Sequence, residues 1–135
     1  VNFETSPLSL MITGIGIDRI AVNRIHAAID RHGERFIQRV FTAEEYTQAE
    51  NKTHTNQRLA MLFAAKEAVS KALGTGFRQG VAPRHIETIH QPSGKPEVFL
   101  HAGAKRIALR SGVRKVHVSL TDDGGIAMAF AMAES

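Results

Sequence analysis

The chain has no cysteine, no tryptophan and a single tyrosine, and its apolar runs are short. The first absence excludes disulfides, thiolate catalysis and cysteine-ligated zinc or iron–sulfur centres, and it agrees with a reducing compartment, the cytoplasm being the default. The shortage of large aromatics leaves few platforms for base stacking, and no RNA-recognition or zinc-finger motif is present. No run approaches the roughly 18 apolar residues that span a bilayer, and the N-terminus lacks the basic and apolar regions of a signal peptide. Gly14-x-Gly16 lacks the third glycine of a dinucleotide fingerprint, and no glycine-rich phosphate loop ends in Gly-Lys-Ser/Thr. The seven histidines are scattered, with none at the i,i+4 spacing of zinc-binding helices.

What is present fits one domain. At 135 residues the chain can bury a single core but is short for enclosing a large ligand unaided, which points to a site shared between subunits. A net charge of +4 favours an anionic partner: nucleic acid, a phosphorylated cofactor or an acidic protein. Residues 1–10 have no clear period and are read as a leader, leaving 11–135 as the domain. Residues 12–18 alternate like a strand, with glycines where something approaches closely and Asp18 at the end. A helix is expected over about 20–32, with Val22, Ile25 and Ile29 on one face and Arg24 and Arg31 on another. If it resumes after Gly33, Arg35 joins the basic face. Thr42 and Glu45 form a capping box, so a short helix begins there and ends near residue 51. A long helix follows over 55–73, stopped by Gly74. Beyond it come strands at 86–90 and 98–100 around a turn at 92–96, and a helix over 103–110. A final hairpin joins 115–121 to 126–133 through a turn at 122–125. The fold class is α+β, a mostly antiparallel sheet packed against a long central helix.

The central helix carries the anomaly. Phe63-Ala64-Ala65-Lys66-Glu67-Ala68-Val69-Ser70-Lys71-Ala72-Leu73-Gly74-Thr75-Gly76 is small or apolar nearly all round apart from three charges, and a helix of that kind is buried. Buried charges are costly unless paired, so Lys66, Glu67 and Lys71 each ask for a partner. Glu67 and Lys71 stand at i,i+4 in the favourable order, and a plain helix-stabilising pair worth about 0.2–0.5 kcal/mol is one answer. A second carboxylate at Asp18 offers another: a two-carboxylate site for Mg²⁺, which takes oxygen ligands, keeps several waters and bridges to phosphates. On the strand Val116-His117-Val118-Ser119-Leu120-Thr121, alternation leaves His117, Ser119 and Thr121 together on one face, a set suited to an anion.

Four blocks, Gly14-Ile15-Gly16-Ile17-Asp18, the fourteen residues from Phe63 to Gly76, Gly94-Lys95-Pro96 and His117-Val118-Ser119-Leu120-Thr121, occur in the order seen in the holo-acyl-carrier-protein synthases. The resemblance covers residues 11 to about 133. It is to the short bacterial type of 4′-phosphopantetheinyl transferase, and it implies that fold and transfer of 4′-phosphopantetheine from coenzyme A to a serine of apo-acyl carrier protein, in fatty acid biosynthesis. By this resemblance Asp18 and Glu67 are the Mg²⁺ ligands, Lys71 contacts a coenzyme A phosphate, and His117 lies near the cofactor's phosphates. Gly74, Thr75 and Gly76, with Gly94, Lys95 and Pro96, border the adenosine part, and Ser119 and Thr121 add hydroxyl contacts. Asp18, Glu67 and Lys71 are then the catalytic set; the resemblance leaves the base open, and Glu67, directly or through a Mg²⁺-bound water, is the first candidate. Arg24, Arg31 and Arg35 form the docking face for the carrier's acidic helix. The resemblance further implies a homotrimer with active sites between subunits, and neither a nucleic acid nor a membrane as partner.

Leu62 departs from the resemblance, since many relatives have an arginine there. Two rival readings remain at this stage. One is a small basic nucleic-acid-binding domain without catalysis; the other is a metal-dependent phosphohydrolase, for which dense acidic motifs are missing.

Overall fold

Glycine and alanine on two facing surfaces decide how the main layers meet. The computed structural model describes residues 10–135, so the leader read at 1–10 falls, save for Leu10, outside the described residues. Strands β1 (Ile12–Ala21), β4 (Lys115–Asp123) and β5 (Ile126–Glu134) form an antiparallel sheet in the order β1-β5-β4. Helix α4 (Thr55–Ala72) lies across one face of it. The inward side chains of β5 are Ala127, Ala129, Ala131 and Ala133, all buried, and those of the facing helix include Ala60, Ala64, Ala65, Ala68 and Ala72. A Cβ placed on Gly14 would lie 1.9 Å from the Ala72 carbonyl oxygen, and one on Gly16 1.9 Å from that of Ala68. The two glycines thus let β1 and α4 touch backbone to backbone, the close approach expected of them.

The remaining elements wrap this pair. Helices α1 (Val22–His32) and α2 (Glu34–Val40) follow β1, with Gly33 between them. Helix α3 (Ala43–Glu50) starts at the expected capping box: the Thr42 hydroxyl accepts from the Glu45 amide at 3.2 Å, and Glu45 Oε1 accepts from the Thr42 amide at 2.9 Å. A single 3₁₀ turn, Pro83–His85, leads into a hairpin of β2 (Ile86–His90) and β3 (Pro96–Leu100). Helix α5 (Ala102–Ser111) connects β3 to β4. Among the described residues no helix is long and apolar enough to cross a membrane.

Among the boundaries that differ from the sequence expectation, those of β1 and β4 bear on the site. β1 continues three residues past Asp18, which therefore sits inside a paired strand opposite Ala129 rather than at a free end. β4 runs on through Asp122 and Asp123, so the turn narrows to Gly124 and Gly125, whose φ values of 57° and 80° suit a two-residue hairpin turn.

Candidate active site

Of the three charges on α4, Lys66 is answered inside the protein. Its ammonium is fully buried and donates to Glu45 Oε1 at 2.7 Å, the Ile86 carbonyl at 2.6 Å and the Pro83 carbonyl at 3.1 Å, so all three of its protons are placed. It also sits 5.6 Å from the Phe41 ring centre, within cation–π range. Burial pulls the amine below its ordinary value, and the Glu45 carboxylate opposes that pull. Glu45 in turn accepts from the Thr88 amide at 2.9 Å through Oε2. Lys66 therefore ties α4 to α3 and to the start of β2, and it points away from Glu67.

Glu67 and Lys71 meet over β1 instead of pairing simply with each other. Asp18 projects from the inner face of β1 in the same alternating row as Gly14 and Gly16, which brings it against the last two turns of α4. Lys71 Nζ donates to Asp18 Oδ1 and to the Ile17 carbonyl, each at 3.0 Å. Glu67 stands beside Asp18, and its carboxyl is held above the ordinary value first by burial, then by the neighbouring Asp18 carboxylate, with Lys71 and Arg24 pulling the other way. The i,i+4 pair expected from the sequence is thus replaced by a triad of Glu67, Asp18 and Lys71. Two carboxylates side by side repel one another, and a proton shared between them relieves that repulsion. A cation placed there would take the role of that proton.

The donor set fits a small divalent ion that draws only a few ligands from protein. Among the described residues no cluster of three or more histidine, aspartate or glutamate side chains exists, and the pair of carboxylates suits a cation completed by water and phosphate oxygens. A cleft opens beside the pair, lined by Asp18, Glu67, Arg24, Phe36 and Phe63. Arg24 therefore belongs to the wall of this cleft as well as to the exposed surface of α1, while Arg31 and Arg35 are exposed farther along.

The other expected site residues are not gathered here by one chain. His117, Ser119 and Thr121 pair in register with Met132, Phe130 and Thr121's partner Met128, the outward residues of β5, and so occupy the sheet face opposite Asp18. His117 Nε2 lies 3.0 Å from Glu134 Oε1. Gly74, Thr75 and Gly76 follow the C-terminal end of α4, where the Thr75 and Gly76 amides both donate to the Ser70 carbonyl. Gly94 and Pro96 lie instead beside the helix's N-terminal half, in a cleft with Arg58, Met61 and Leu62, and Lys95 lines a neighbouring groove with His117.

The profile of the 4′-phosphopantetheinyl transferase superfamily matches residues 14–131. The chain belongs to that superfamily. A holo-[acyl-carrier-protein] synthase of Halorhodospira halophila is 45% identical to this transferase over 120 residues, covering 89% of the chain and 95% of that protein. The crystal structure of the synthase from Neisseria meningitidis superposes with a TM-score of 0.85 at 36% identity, covering 93% of this chain and all of the other. The Bacillus anthracis synthase, solved in complex with CoA (3′,5′-ADP), has a TM-score of 0.76 at 34% identity, over 93% of this chain and 98% of that one. The α+β fold of the transferase is thus that of the holo-acyl-carrier-protein synthases, as the sequence blocks imply.

Sequence reasoning missed one member of the transferase's polar framework. Glu45 was legible only as a capping residue; that it also receives Lys66 depends on α3 folding back against α4, twenty-one residues away in sequence. A glutamate at the third helical position and an unmatched lysine on a buried helix were the available signals.

Proposed function

We propose that this transferase moves 4′-phosphopantetheine from coenzyme A to a serine of an apo-acyl carrier protein, as a step of fatty acid biosynthesis in the cytoplasm, with Mg²⁺ held by Asp18 and Glu67. The observation that carries the reading is the Asp18–Glu67 pair, side by side on one cleft wall, braced by Lys71 and faced by Arg24. The serine oxygen attacks the β-phosphorus of coenzyme A, the bond to the α-side oxygen breaks, and adenosine 3′,5′-bisphosphate leaves. The bound ion would offset charge on the pyrophosphate and make the bisphosphate a better leaving group. Lys71, half exposed above Asp18, supplies positive charge to the same phosphates. Glu67, whose proton affinity burial and Asp18 raise, accepts the serine proton, directly or through a water.

An acidic carrier helix docks on Arg24, Arg31 and Arg35, all exposed on α1 and α2. The outer face of the three-stranded sheet displays Ile15, Ile17 and Phe130, which are 62%, 59% and 44% exposed. Burying that face against other copies, in a homotrimer, also carries His117, Ser119 and Thr121 towards a neighbour's site. The test is incubation with coenzyme A, Mg²⁺ and apo-carrier. Mass spectrometry should find a phosphopantetheine adduct on the serine, and no adduct across several carriers overturns the assignment.

A further inference from the structure

The positive charge of the chain is not spread evenly. From His101 to Thr121 the sequence carries Lys105, Arg106, Arg110, Arg114 and Lys115 and no aspartate or glutamate. All 13 acids lie elsewhere, where they outnumber the remaining lysines and arginines, so the net charge of +4 is concentrated in this one segment. Helix α5 buries Gly103, Ala104, Ile107 and Ala108 on one side. On the other side Leu109 stands one turn from both Lys105 and Arg106 and next to Arg110. The helix ends at Gly112, whose φ of 75° is left-handed, and Arg114 and Lys115 follow at the start of β4. Lys105, Leu109, Arg114 and Lys115 rim a single groove against β3. All five cations are exposed, and among the described residues none forms an ion pair with a carboxylate. Glu97, the acid on the wall of the groove, accepts instead from Gln91 Nε2 at 2.9 Å. Leu109 is 72% exposed, and Phe99, across the groove on β3, is 41% exposed.

An anionic partner relieves the repulsion among the five cations, and an apolar phase takes up the leucine at their centre. Nucleic acid supplies the first and not the second, and the patch has no tyrosine or tryptophan on which bases would stack. A bilayer with acidic headgroups supplies both. Its phosphates meet the ammonium and guanidinium groups, and its acyl chains lie just below for Leu109, the long lysine and arginine stems reaching back to headgroup level. We infer that α5 and the start of β4 dock this protein reversibly on an anionic lipid surface, with α5 lying in the interface and Leu109 inserted. The docking is peripheral, because α5 has ten residues and among the described residues no helix is long and apolar enough to cross a membrane. None of the docking residues lines the cleft beside Asp18 and Glu67, so docking and transfer are separable. A lipid surface is a partner that the family resemblance leaves out.

The test is co-sedimentation of the full chain with vesicles of phosphatidylcholine alone and of phosphatidylcholine mixed with phosphatidylglycerol. Binding to heparin, a polyanion without an apolar phase, is measured beside it. Wild type should pellet with the phosphatidylglycerol vesicles, stay in solution with phosphatidylcholine alone, and be released as salt rises. The double variant Lys105→Glu, Arg110→Glu should bind the acidic vesicles roughly tenfold more weakly or worse, and the neutral pair Lys105→Gln, Arg110→Gln should lose less. Leu109→Ser should weaken vesicle binding several-fold and leave heparin binding unchanged. Circular dichroism melts of these variants, all at exposed positions, should match wild type. Failure of wild type to pellet with phosphatidylglycerol at low salt overturns the docking surface, as does equal pelleting of wild type and the charge-reversed variant. A Leu109→Ser variant that binds vesicles and heparin like wild type overturns the lipid partner in favour of a nucleic acid or another polyanion.

Discussion

Lys66 is a side chain whose position in the binary pattern is wrong and whose environment is right. Its three donors meet three acceptors with no water required, so its charge is confined to a closed network with Glu45, Pro83 and Ile86. Lys66→Ala would leave the Glu45 carboxylate buried without its counter-charge, and unfolding in urea should show a loss of about 3–5 kcal/mol. Adding Glu45→Gln should recover part of it, because the uncompensated charge goes. Glu67 makes the opposite case, a carboxyl in tension with its surroundings. With its pKa raised by burial and by Asp18, the metal-free folded state binds this proton more tightly than the unfolded chain does. The stability from this proton is present below the ordinary carboxylate range and lost as pH rises through the folded value. Melting curves without metal should fall across that window, Glu67→Gln should flatten the dependence, and Mg²⁺ should raise the wild-type melting temperature but not that of the variant.

At the level of elements, β1 and α4 act as one unit. Gly16 brings them together two residues before Asp18, so the same contact that seals the core also sets how near Asp18 comes to Glu67 and Lys71. Gly16→Ala would put a methyl group into the Ala68 carbonyl, a clash between two backbones that no rotamer can relieve. Denaturant titration should show a loss of about 3 kcal/mol or more. Turnover of whatever folds should fall with it, since α4 must move off the strand that carries Asp18. On α1 and α2 the basic residues separate into two kinds. Arg24 lines the proposed catalytic cleft and its charge reaches Glu67, so Arg24→Glu should disturb both docking and chemistry. Arg31 stands clear of that cleft, and Arg31→Glu should raise KM for the carrier roughly tenfold, the effect of about 1.4 kcal/mol, with KM for coenzyme A unchanged in steady-state assays. An equal change in both constants would remove Arg31 from the docking face.

The sheet presents one face to α4 and carries an exposed apolar patch at the centre of the other. Ile15, Ile17, Met128 and Phe130 form an exposed patch that a monomer would hold against water, and the proposed trimer buries it. Phe130→Glu should therefore give a folded monomer by light scattering and circular dichroism. It should also abolish transfer if residues from two copies complete each site. A monomer with full activity would sink the shared site. In the proposed trimer the same partition would carry His117, Ser119 and Thr121 of one copy towards Asp18 of another, although a single chain sets them on opposite faces.

Local chemistry accounts for much of this protein. The alternation of 12–18, the capping box at Thr42 and the small-residue helix ending at Gly74 each specify an element through short-range rules, and the ordered blocks around them point to the family. Short-range rules do not reach the ends of β1 and β4, since hydrogen bonds to β5 carry β1 beyond Asp18 and β4 into Asp123, and pairing across a sheet is invisible to a pattern read one strand at a time. Partnership was a tertiary decision. Glu67 faces Lys71 in the sequence, yet Lys71 reaches Asp18, and Lys66 finds Glu45, because two glycines let β1 lie against α4 and α3 folds back on the helix's other side. A charge on a buried helix announces that it needs a partner. Which partner it finds depends on the elements that packing brings within about 3 Å, the range over which a hydrogen bond acts.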